Sequence, residues 1–253
     1  MSFLMKLIKR SYRFMIDPHF KKGSVIHEIY QVQSLLGIGS YGYSYLCYDS
    51  QNQRYCVLKQ MTKSKRRQVM KDQFAKERDA LKRLEHFCIP TFYESFTFQN
   101  LSFLVMEYIP GRNLEDVLFE DKQKFTERET LQLMKEIVVI LEHVHSKGII
   151  HGDVRIPNVI LHDNRPYLID FGLAERVKDS KVQEDYYDLG DFCLFLLYSQ
   201  YEGKTKKGRA WTEELILHPN TRIFLEKLLG IREPFIETKE VLAELDQTLV
   251  SLD

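Results

Sequence analysis

The chain has 253 residues, of which 44% are hydrophobic and 28% are charged, and its 36 basic side chains are balanced by 36 acidic ones. This composition is typical of a globular protein and excludes a largely disordered chain. A chain with no net charge lacks the overall positive field that draws proteins to nucleic acid, so no nucleic-acid partner is expected.

The first segment of the chain, which begins MSFLMKLIKRSYRFM, is basic and somewhat amphipathic. It lacks the long apolar stretch and the small-residue cleavage site of a secretory signal. We predict that residues 1–29 form an N-terminal extension and favour a helix that packs on the domain. Contact with a membrane surface through residues 1–22 is the alternative. No run in the chain approaches the roughly 20 apolar residues that cross a bilayer, so no transmembrane segment is expected.

A strand-rich region follows, from Tyr30 to Tyr108. Its segments are rich in aromatic and β-branched residues and are separated by turn signals such as DSQNQ and FQN. The predicted strands read YQVQSLLGIG, GYSYLCYD, RYCVLKQM, TFYESFTF and LSFLVMEY. One helix is predicted between them, near residues 65–85, from apolar residues at helical spacing.

The remaining chain, residues 109–253, is predicted to be mainly helical. Apolar residues recur every three or four positions over 127–146, which indicates a strongly amphipathic helix, and Gly148 fits its C-terminal stop. Further helices are predicted at 185–200, 220–229 and 238–250. The fold class is therefore α+β, with an antiparallel β lobe over 30–108, a helical lobe over 109–253 and a ligand cleft expected between them.

The four cysteines, Cys47, Cys56, Cys88 and Cys193, form no CxxC pair. A zinc site is therefore not expected, and reduced, buried thiols are the favoured interpretation. Together with the missing signal sequence, this predicts a cytoplasmic protein.

A glycine-rich segment, GIGSYG, places glycines at 37, 39 and 42 between two predicted strands. Glycine allows the backbone to approach a phosphate closely, but an ordinary hairpin turn explains the same pattern equally well. A dinucleotide-binding fold is disfavoured because it requires a helix after the glycines, and a strand follows here.

Other polar residues each have an ordinary explanation when they are taken alone. Lys59 ends a strand and Glu77 lies on the following helix, where charges commonly face water. Asp153 and Asn158 lie five residues apart in a loop, and Asp170 follows a short strand and could cap a turn. The order of all these elements along the chain is what argues for a phosphoryl-transfer site.

With GIGSYG, CVLK, MEYIPG, HGDVRIPN and DFG in this order, the chain resembles the eukaryotic-like (Hanks-type) serine/threonine protein kinases, in a bacterial form. The resemblance implies a two-lobed protein kinase fold and a phosphotransferase that uses ATP with Mg²⁺, or alternatively Mn²⁺. It implies that the three glycines cover the phosphates, that Lys59 binds them and pairs with Glu77, and that Asp153 receives the proton of the substrate hydroxyl. Arg155 stands where the family commonly has lysine.

The resemblance also assigns the metal and the adenine sites. Asn158 and Asp170 would hold magnesium, a cation that prefers oxygen ligands. Met106 would be the gatekeeper, and Glu107 and Tyr108 would belong to the hinge that follows it. Ile160 would lie under the adenine.

Several residues depart from the family pattern. Gly152 replaces the arginine before the catalytic aspartate, so no side chain is available there to pair with a phosphorylated loop. Only residues 173–184 separate DFG from the predicted helix at Asp185, and Ser180 is the one hydroxyl among them. No APE motif is found, and no arginine that would pair with it is evident. Ser44 and Val57 replace the usual valine and alanine around adenine, which leaves the affinity for ATP open.

Three functions remain in competition. The favoured one is a serine/threonine protein kinase whose partner is a protein substrate with a Ser or Thr hydroxyl. The second is a small-molecule kinase, because HGD and the short sequel also resemble aminoglycoside and choline kinases. The third is a nucleotide-binding scaffold or ATPase subunit, which the intact Asp153 argues against.

Overall fold

The structure of the chain is a computed structural model that describes residues 19–38, 42–61, 67–177, 182–203 and 209–252. The described residues form two compact units. The first contains those up to Lys82 together with Pro90–Tyr108, and the second contains Arg83–Ile89 and the described residues from Ile109 onwards.

The first unit is built on an antiparallel sheet with the strand order β1-β2-β3-β4-β6-β5. The strands are β1 (Val25–Ile26), β2 (Tyr30–Ile38), β3 (Gly42–Asp49), β4 (Arg54–Met61), β5 (Phe92–Phe98) and β6 (Leu101–Glu107). The five strands expected from the sequence are confirmed to within about two residues at each end. The sheet already begins inside the segment expected to be an extension, because β1 pairs with β2 and Ile26 is buried in the core.

The two faces of this sheet differ, as the two-residue period of a strand requires. One face buries an aromatic and aliphatic core that includes Tyr43, Tyr45 and Leu58. The alternating positions Ser44, Val57 and Lys59 are only partly buried and lie on the other face. Ser44 pairs with Lys59 in the register of β3 and β4, so the lysine and both unusual residues of the expected adenine site share one face of the sheet.

One described helix, α1 (Arg67–Leu81), belongs to the first unit and confirms the helix expected near 65–85. Glu77 is 3% exposed and Ala80 and Leu81 are also buried, so this part of the helix faces the protein interior.

The second unit is mainly helical. Its helices are α2 (Leu114–Phe119), α3 (Glu127–Ser146), α4 (Val182–Tyr198), α5 (Trp211–Glu214), α6 (Pro219–Leu228) and α7 (Thr238–Ser251). The bounds predicted for α3 are confirmed, and a capping box between Thr126 and Glu129 explains its start. The prediction that α4 starts at residue 185 was wrong, since the helix starts three residues earlier.

Short strands shape the loops of this unit. β7 (Arg112–Asn113), β9 (Val159–His162) and β10 (Arg165–Leu168) form a small antiparallel sheet, and β8 (Ile149–Ile150) pairs with β11 (Glu175–Arg176). One-turn 3₁₀ helices at Ile156–Asn158 and Phe171–Leu173 follow the two expected catalytic segments. Asp153 lies in the loop that follows β8, and Asp170 lies in the loop that follows β10.

A buried carboxylate connects α6 to the loop that follows it. Glu226 is 6% exposed and accepts hydrogen bonds from Arg222, at 3.0 Å, and from Arg232. These hydrogen bonds lower the pKa of Glu226. No arginine that would pair with an APE glutamate was evident from the sequence, and Arg232, which lies in the same region, contacts Glu226 on α6 instead.

All four cysteines are free and buried, which confirms the reduced thiols expected from the sequence. No helix among the described residues is both long and apolar enough to cross a bilayer.

Candidate active site

The ion pair expected between Lys59 and Glu77 forms within the first unit. Lys59 Nζ lies 2.7 Å from Oε1 and 2.8 Å from Oε2 of Glu77, so the amine contacts both carboxylate oxygens. The side chains are 15% and 4% exposed, which shields the pair from water and strengthens its electrostatic attraction. The amine is thereby held in one position on the partly buried face of the sheet.

The glycines of GIGSYG have different surroundings. Gly42 starts β3 so close to β4 that a Cβ atom there would lie 1.7 Å from the carbonyl oxygen of Gln60. Strand packing alone therefore requires Gly42. Gly37 has open space where a side chain would be, and Gly39 lies outside the described residues.

The expected gatekeeper and hinge residues lie at the end of β6 and directly after it. Met106 is 8% exposed and stands opposite Val57 in the register of β4 and β6. Glu107 is tied to Thr91: its carboxylate accepts from the backbone N–H at 3.0 Å and from the hydroxyl at 2.9 Å. Tyr108 is partly buried and is the last residue of the first unit.

In the second unit, Ile160 lies on β9 between β7 and β10. Its Cγ2 lies against Gly111, where a Cβ atom would come within 2.9 Å of it and within 2.2 Å of the carbonyl oxygen of Leu161. Gly111 also has φ near +151°, so a side chain there is excluded twice. Gly111 was not singled out from the sequence as a site residue, although it ends the MEYIPG segment.

Asp153 is held by two of the residues predicted to act with it. Arg155 makes a two-pronged contact, with Nη2 at 2.7 Å from Oδ2 and Nε close to Oδ1. Asn158 Nδ2 donates to the same Oδ2 at 2.8 Å and to the backbone carbonyl of Asp153 at 2.9 Å. A carboxylate has about four acceptor positions, and these three contacts from the described residues leave one of them, on Oδ1, for a further donor.

Asn158 and Asp170 meet the chemical needs of a hard cation. Because the amide nitrogen of Asn158 makes the bonds to Asp153, its Oδ1 is left as an acceptor, with no hydrogen bond from the described residues. A backbone bond of 2.9 Å from Ile169 N–H to the carbonyl of Asn158 ties the residue before Asp170 to the same loop. Asp170 adopts a left-handed conformation with φ near +65°.

The described residues contain no group of three or more His, Cys, Asp or Glu side chains that could hold a metal ion alone. Magnesium commonly takes one or two carboxylates together with substrate phosphates, so the residues present suit a cation that arrives with a phosphate ligand.

Two aspartates of α4 hold the loop that carries Asp153, and neither was predicted from the sequence to be a site residue. Asp185 Oδ2 accepts the backbone N–H of His151 at 2.9 Å and Oδ1 accepts that of Gly152 at 2.7 Å. Asp188 Oδ2 accepts the N–H of Val154 at 3.0 Å. The sequence could have indicated this role, because residues three apart on a helix lie on one face and Asp185 and Asp188 have this spacing.

Burial raises the pKa of Asp188 to about 6, and the neighbouring Asp185 and Asp153 carboxylates add to this shift. Burial lowers the pKa of His151. His151 Nδ1 accepts the N–H of Asp153 at 3.2 Å, and Nε2 lies 3.1 Å from the carbonyl of Ile169, so the neutral ring that carries its proton on Nε2 fits both contacts. This ring joins the backbone at Asp153 to the backbone before Asp170.

The comparisons with known proteins agree with this arrangement. A family model described as the protein kinase domain matches residues 30–194 of the chain. The chain belongs to the protein kinase family. A relative from Bacillus subtilis (strain 168), "Probable serine/threonine-protein kinase YbdM", is 40% identical over 256 aligned positions, which cover 98% of this chain and 99% of the relative.

Other kinases resemble parts of the chain. Serine/threonine-protein kinase PknA of Nostoc sp. is 33% identical over 153 positions, which cover 56% of this chain and 27% of that protein. The crystal structure of a single-site mutant of the PknI kinase domain of Mycobacterium tuberculosis has a TM-score of 0.72 at 19% identity and covers 91% of this chain and 99% of that one. The likeness confirms the protein kinase fold, with its antiparallel sheet and its helical part.

Membership of the protein kinase family implies the use of ATP and a divalent metal ion. This kinase departs from the family pattern at Gly152, whose φ is near +74° and whose Cβ atom would lie 3.0 Å from the carbonyl oxygen of Leu173. An arginine there would adopt a strained backbone in a tight space. The described part of the segment after DFG contains β11, which pairs with β8. Ser180 lies outside the described residues.

Proposed function

We propose that this kinase is a serine/threonine protein kinase that transfers the γ-phosphoryl group of ATP to a hydroxyl group of a protein substrate. The observation that carries the proposal is the intact set of Asp153, Asn158 and Asp170 on loops whose backbones are hydrogen-bonded to one another. A chain that only bound nucleotide would not need a carboxylate held with one acceptor position left open. The near full-length relative that is named a serine/threonine-protein kinase supports the same conclusion.

Lys59 and Glu77 would provide the phosphate anchor. The amine donates to both carboxylate oxygens of Glu77 through two of its three protons, and its direction is therefore fixed. A fixed cation lowers the cost of organising phosphate oxygens for transfer, because its position does not have to change as the charge moves. Gly37, Gly39 and Gly42 would cover the phosphates, and Met106, Glu107, Tyr108 and Ile160 would contact the adenine.

The metal would be Mg²⁺, with Mn²⁺ as the alternative, held by the Oδ1 atom of Asn158 and the carboxylate of Asp170. A bound metal ion neutralises charge on the phosphate oxygens. Asn158 would serve two purposes, since its amide nitrogen orients Asp153 while its amide oxygen, which receives no hydrogen bond from the described residues, would bind the cation.

Asp153 would orient the substrate hydroxyl and accept its proton, through the acceptor position that remains on Oδ1. Arg155 holds the carboxylate in its present position and is itself 60% exposed, so its guanidinium can exchange this contact for a phosphate oxygen. Arginine binds both groups in the same two-pronged manner, which a lysine at this position could not do.

The proposed acceptor is a protein, and the proposed location is the cytoplasm. The buried free cysteines support this location because reduced thiols persist in a reducing compartment. Small alcohols are the competing acceptors. The test incubates the purified protein with γ-labelled ATP and Mg²⁺, alone, with a generic basic protein and with a panel of small alcohols including aminoglycosides and choline.

We expect label on Ser or Thr of protein in the wild type and none in Asp170→Ala. The matched control is Asp163→Asn, which changes an exposed turn aspartate whose side chain is 92% exposed and should label protein as the wild type does. Label on a small alcohol would replace the proposal with a small-molecule kinase. Release of inorganic phosphate without any transfer would replace it with an ATPase.

A further inference from the structure

A chain of buried hydrogen bonds connects the last helix to the loop that carries Asp153. It runs from Tyr186 to Thr238, from Thr238 to His145 and from His145 to Asp185, with distances of 2.9, 2.7 and 2.7 Å. Asp185 in turn holds the backbone N–H groups of His151 and Gly152. We name this chain the Thr238 relay: Tyr186, Thr238, His145 and Asp185.

The donors and acceptors of the relay can be placed in only one consistent way for a neutral imidazole. His145 Nε2 faces a carboxylate, which only accepts, so Nε2 carries the proton. Nδ1 is then an acceptor and takes the hydroxyl proton of Thr238. The oxygen of Thr238 is left to accept the hydroxyl proton of Tyr186. Every polar group in the relay then has a partner.

Burial leaves few alternative hydrogen-bond partners for the groups of the relay. Asp185 is fully buried, and Tyr186 and Thr238 are 2% and 7% exposed, so water is a poor substitute for a missing partner. A buried acceptor that loses its donor costs free energy or rearranges. The orientation of the His145 ring therefore depends on the Thr238 hydroxyl group as well as on the Asp185 carboxylate.

The position of the Thr238 hydroxyl group is set by the start of α7, the last helix. Thr238 is the first residue of α7, and a capping box between Glu237 and Glu240 fixes where the helix begins. His145 lies in the last turn of α3. The start of α7 is thus set against the end of α3, directly behind the loop that leads into Asp153.

We propose that Thr238 is a positioning residue for phosphoryl transfer, acting through His145 and Asp185 on the backbone directly before Asp153. The inference rests on the proposed function. Its expected signature is selective, because the relay reaches the residues around the acceptor hydroxyl and does not include Lys59 or Glu77. Loss of the Thr238 hydroxyl should lower kcat and leave KM for ATP nearly unchanged.

The test compares Thr238→Val, which removes the hydroxyl at nearly constant shape, with Thr238→Ser, which keeps it. Thr248→Val is the matched control. Thr248 is a buried threonine of the same helix, and its hydroxyl donates to the backbone carbonyl of Glu244 at 2.8 Å, outside the relay. We expect kcat to fall about tenfold in Thr238→Val, which corresponds to about 1.4 kcal/mol in the barrier. It should stay within about twofold of wild type in the serine variant and in the control.

Equal kcat values in Thr238→Val and Thr248→Val, with both variants folded, would overturn the proposal. If the valine variant does not fold, Thr238→Ala is compared with Thr248→Ala in the same way.

A second measurement does not depend on activity, so that a failure of the proposed function is distinguishable from a failure of the relay. ¹⁵N NMR of histidine-labelled protein, with the His145 signals assigned from a His145→Gln sample, reports the hydrogen bond to Nδ1. The Nδ1 signal should move in Thr238→Val and stay near its wild-type position in Thr238→Ser and Thr248→Val. An unmoved signal in Thr238→Val would refute the hydrogen bond on which the relay depends.

Discussion

The Lys59–Glu77 pair allows a prediction whose size follows from the structure. At the 2.7 Å between Lys59 Nζ and Glu77 Oε1, two unit charges attract by roughly 6 kcal/mol at an effective dielectric constant of about 20. The loss of water around both groups offsets much of this. Removing one partner of a fully buried pair costs about 3–5 kcal/mol, and an exposed pair contributes at most about 1 kcal/mol. With side chains 15% and 4% exposed, we expect about 2–3 kcal/mol of unfolding free energy to be lost in Lys59→Met or Glu77→Gln.

The two substitutions form a double-mutant cycle that tests whether the pair acts as a unit. Urea denaturation gives the unfolding free energy of each variant, and γ-labelled ATP gives the rate of transfer. The double variant should lose little more stability than either single variant, because neither residue of the pair is then left charged without the other. Each single variant should transfer phosphate at least about 100-fold more slowly, since the proposed phosphate anchor requires both groups. Strictly additive losses of stability, or folded single variants with near wild-type transfer, would refute the reasoning.

Three further outcomes are expected. Asp153→Asn should abolish transfer and leave the affinity for ATP within about threefold of wild type, because the proposed partner of this carboxylate is the acceptor hydroxyl and not the nucleotide; calorimetric titration with a non-hydrolysable ATP analogue checks this, and a lost affinity with preserved transfer would contradict it. Ser180→Ala and phosphatase treatment should each change the initial rate less than about twofold, because Gly152 offers no side chain to a loop phosphate; a drop of about tenfold would show that a phosphate there is required. Glu226→Gln should cost about 1–2 kcal/mol at pH 7, because Arg222 and Arg232 lose a charged partner but are themselves about half exposed. The pKa of Glu226 is lowered in the folded protein. The contribution of its ion pairs to the free energy of unfolding is therefore complete above the unfolded pKa of about 4.3 and disappears as the pH falls below that value. The stability difference between variant and wild type should therefore shrink below about pH 4, and a constant difference down to about pH 2 would rule out the ion pairs as its cause.

The sheet and the long helix could be predicted from the sequence because their signals are local. Alternation of apolar residues defines β3 and β4, and a capping box with helical periodicity defines α3. The start of α4 was predicted three residues late because the segment before Asp185 carries charged and polar residues without an apolar period. In the helix two of these residues, Gln183 and Glu184, are only partly buried or exposed, so they leave no pattern in the sequence.

The candidate site was predictable to the extent that it follows a family pattern. The partners of Asp153 could not be predicted in detail, because hydrogen bonds between side chains in irregular loops have no periodic signal. Thr238 and His145 are separated by 93 positions, and no local rule joins a threonine at a helix start to a histidine at the end of another helix. Gly42 shows the reverse problem: the family resemblance assigned it a role at phosphates, while close strand packing already accounts for a glycine there.

The loop around Asp153 also explains how a short segment after DFG is compatible with an ordered site. Three backbone N–H groups, those of His151, Gly152 and Val154, bond to two carboxylates on one face of α4. Asp185 and Asp188 thus hold the loop at three points from a helix that is packed into the second unit, and none of these contacts involves residues 173–184. A phosphorylated loop orders a site by adding charge for an arginine to pair with. Here the order is supplied by helix carboxylates that are present at all times, so the loop before Asp153 needs no such modification to hold its shape.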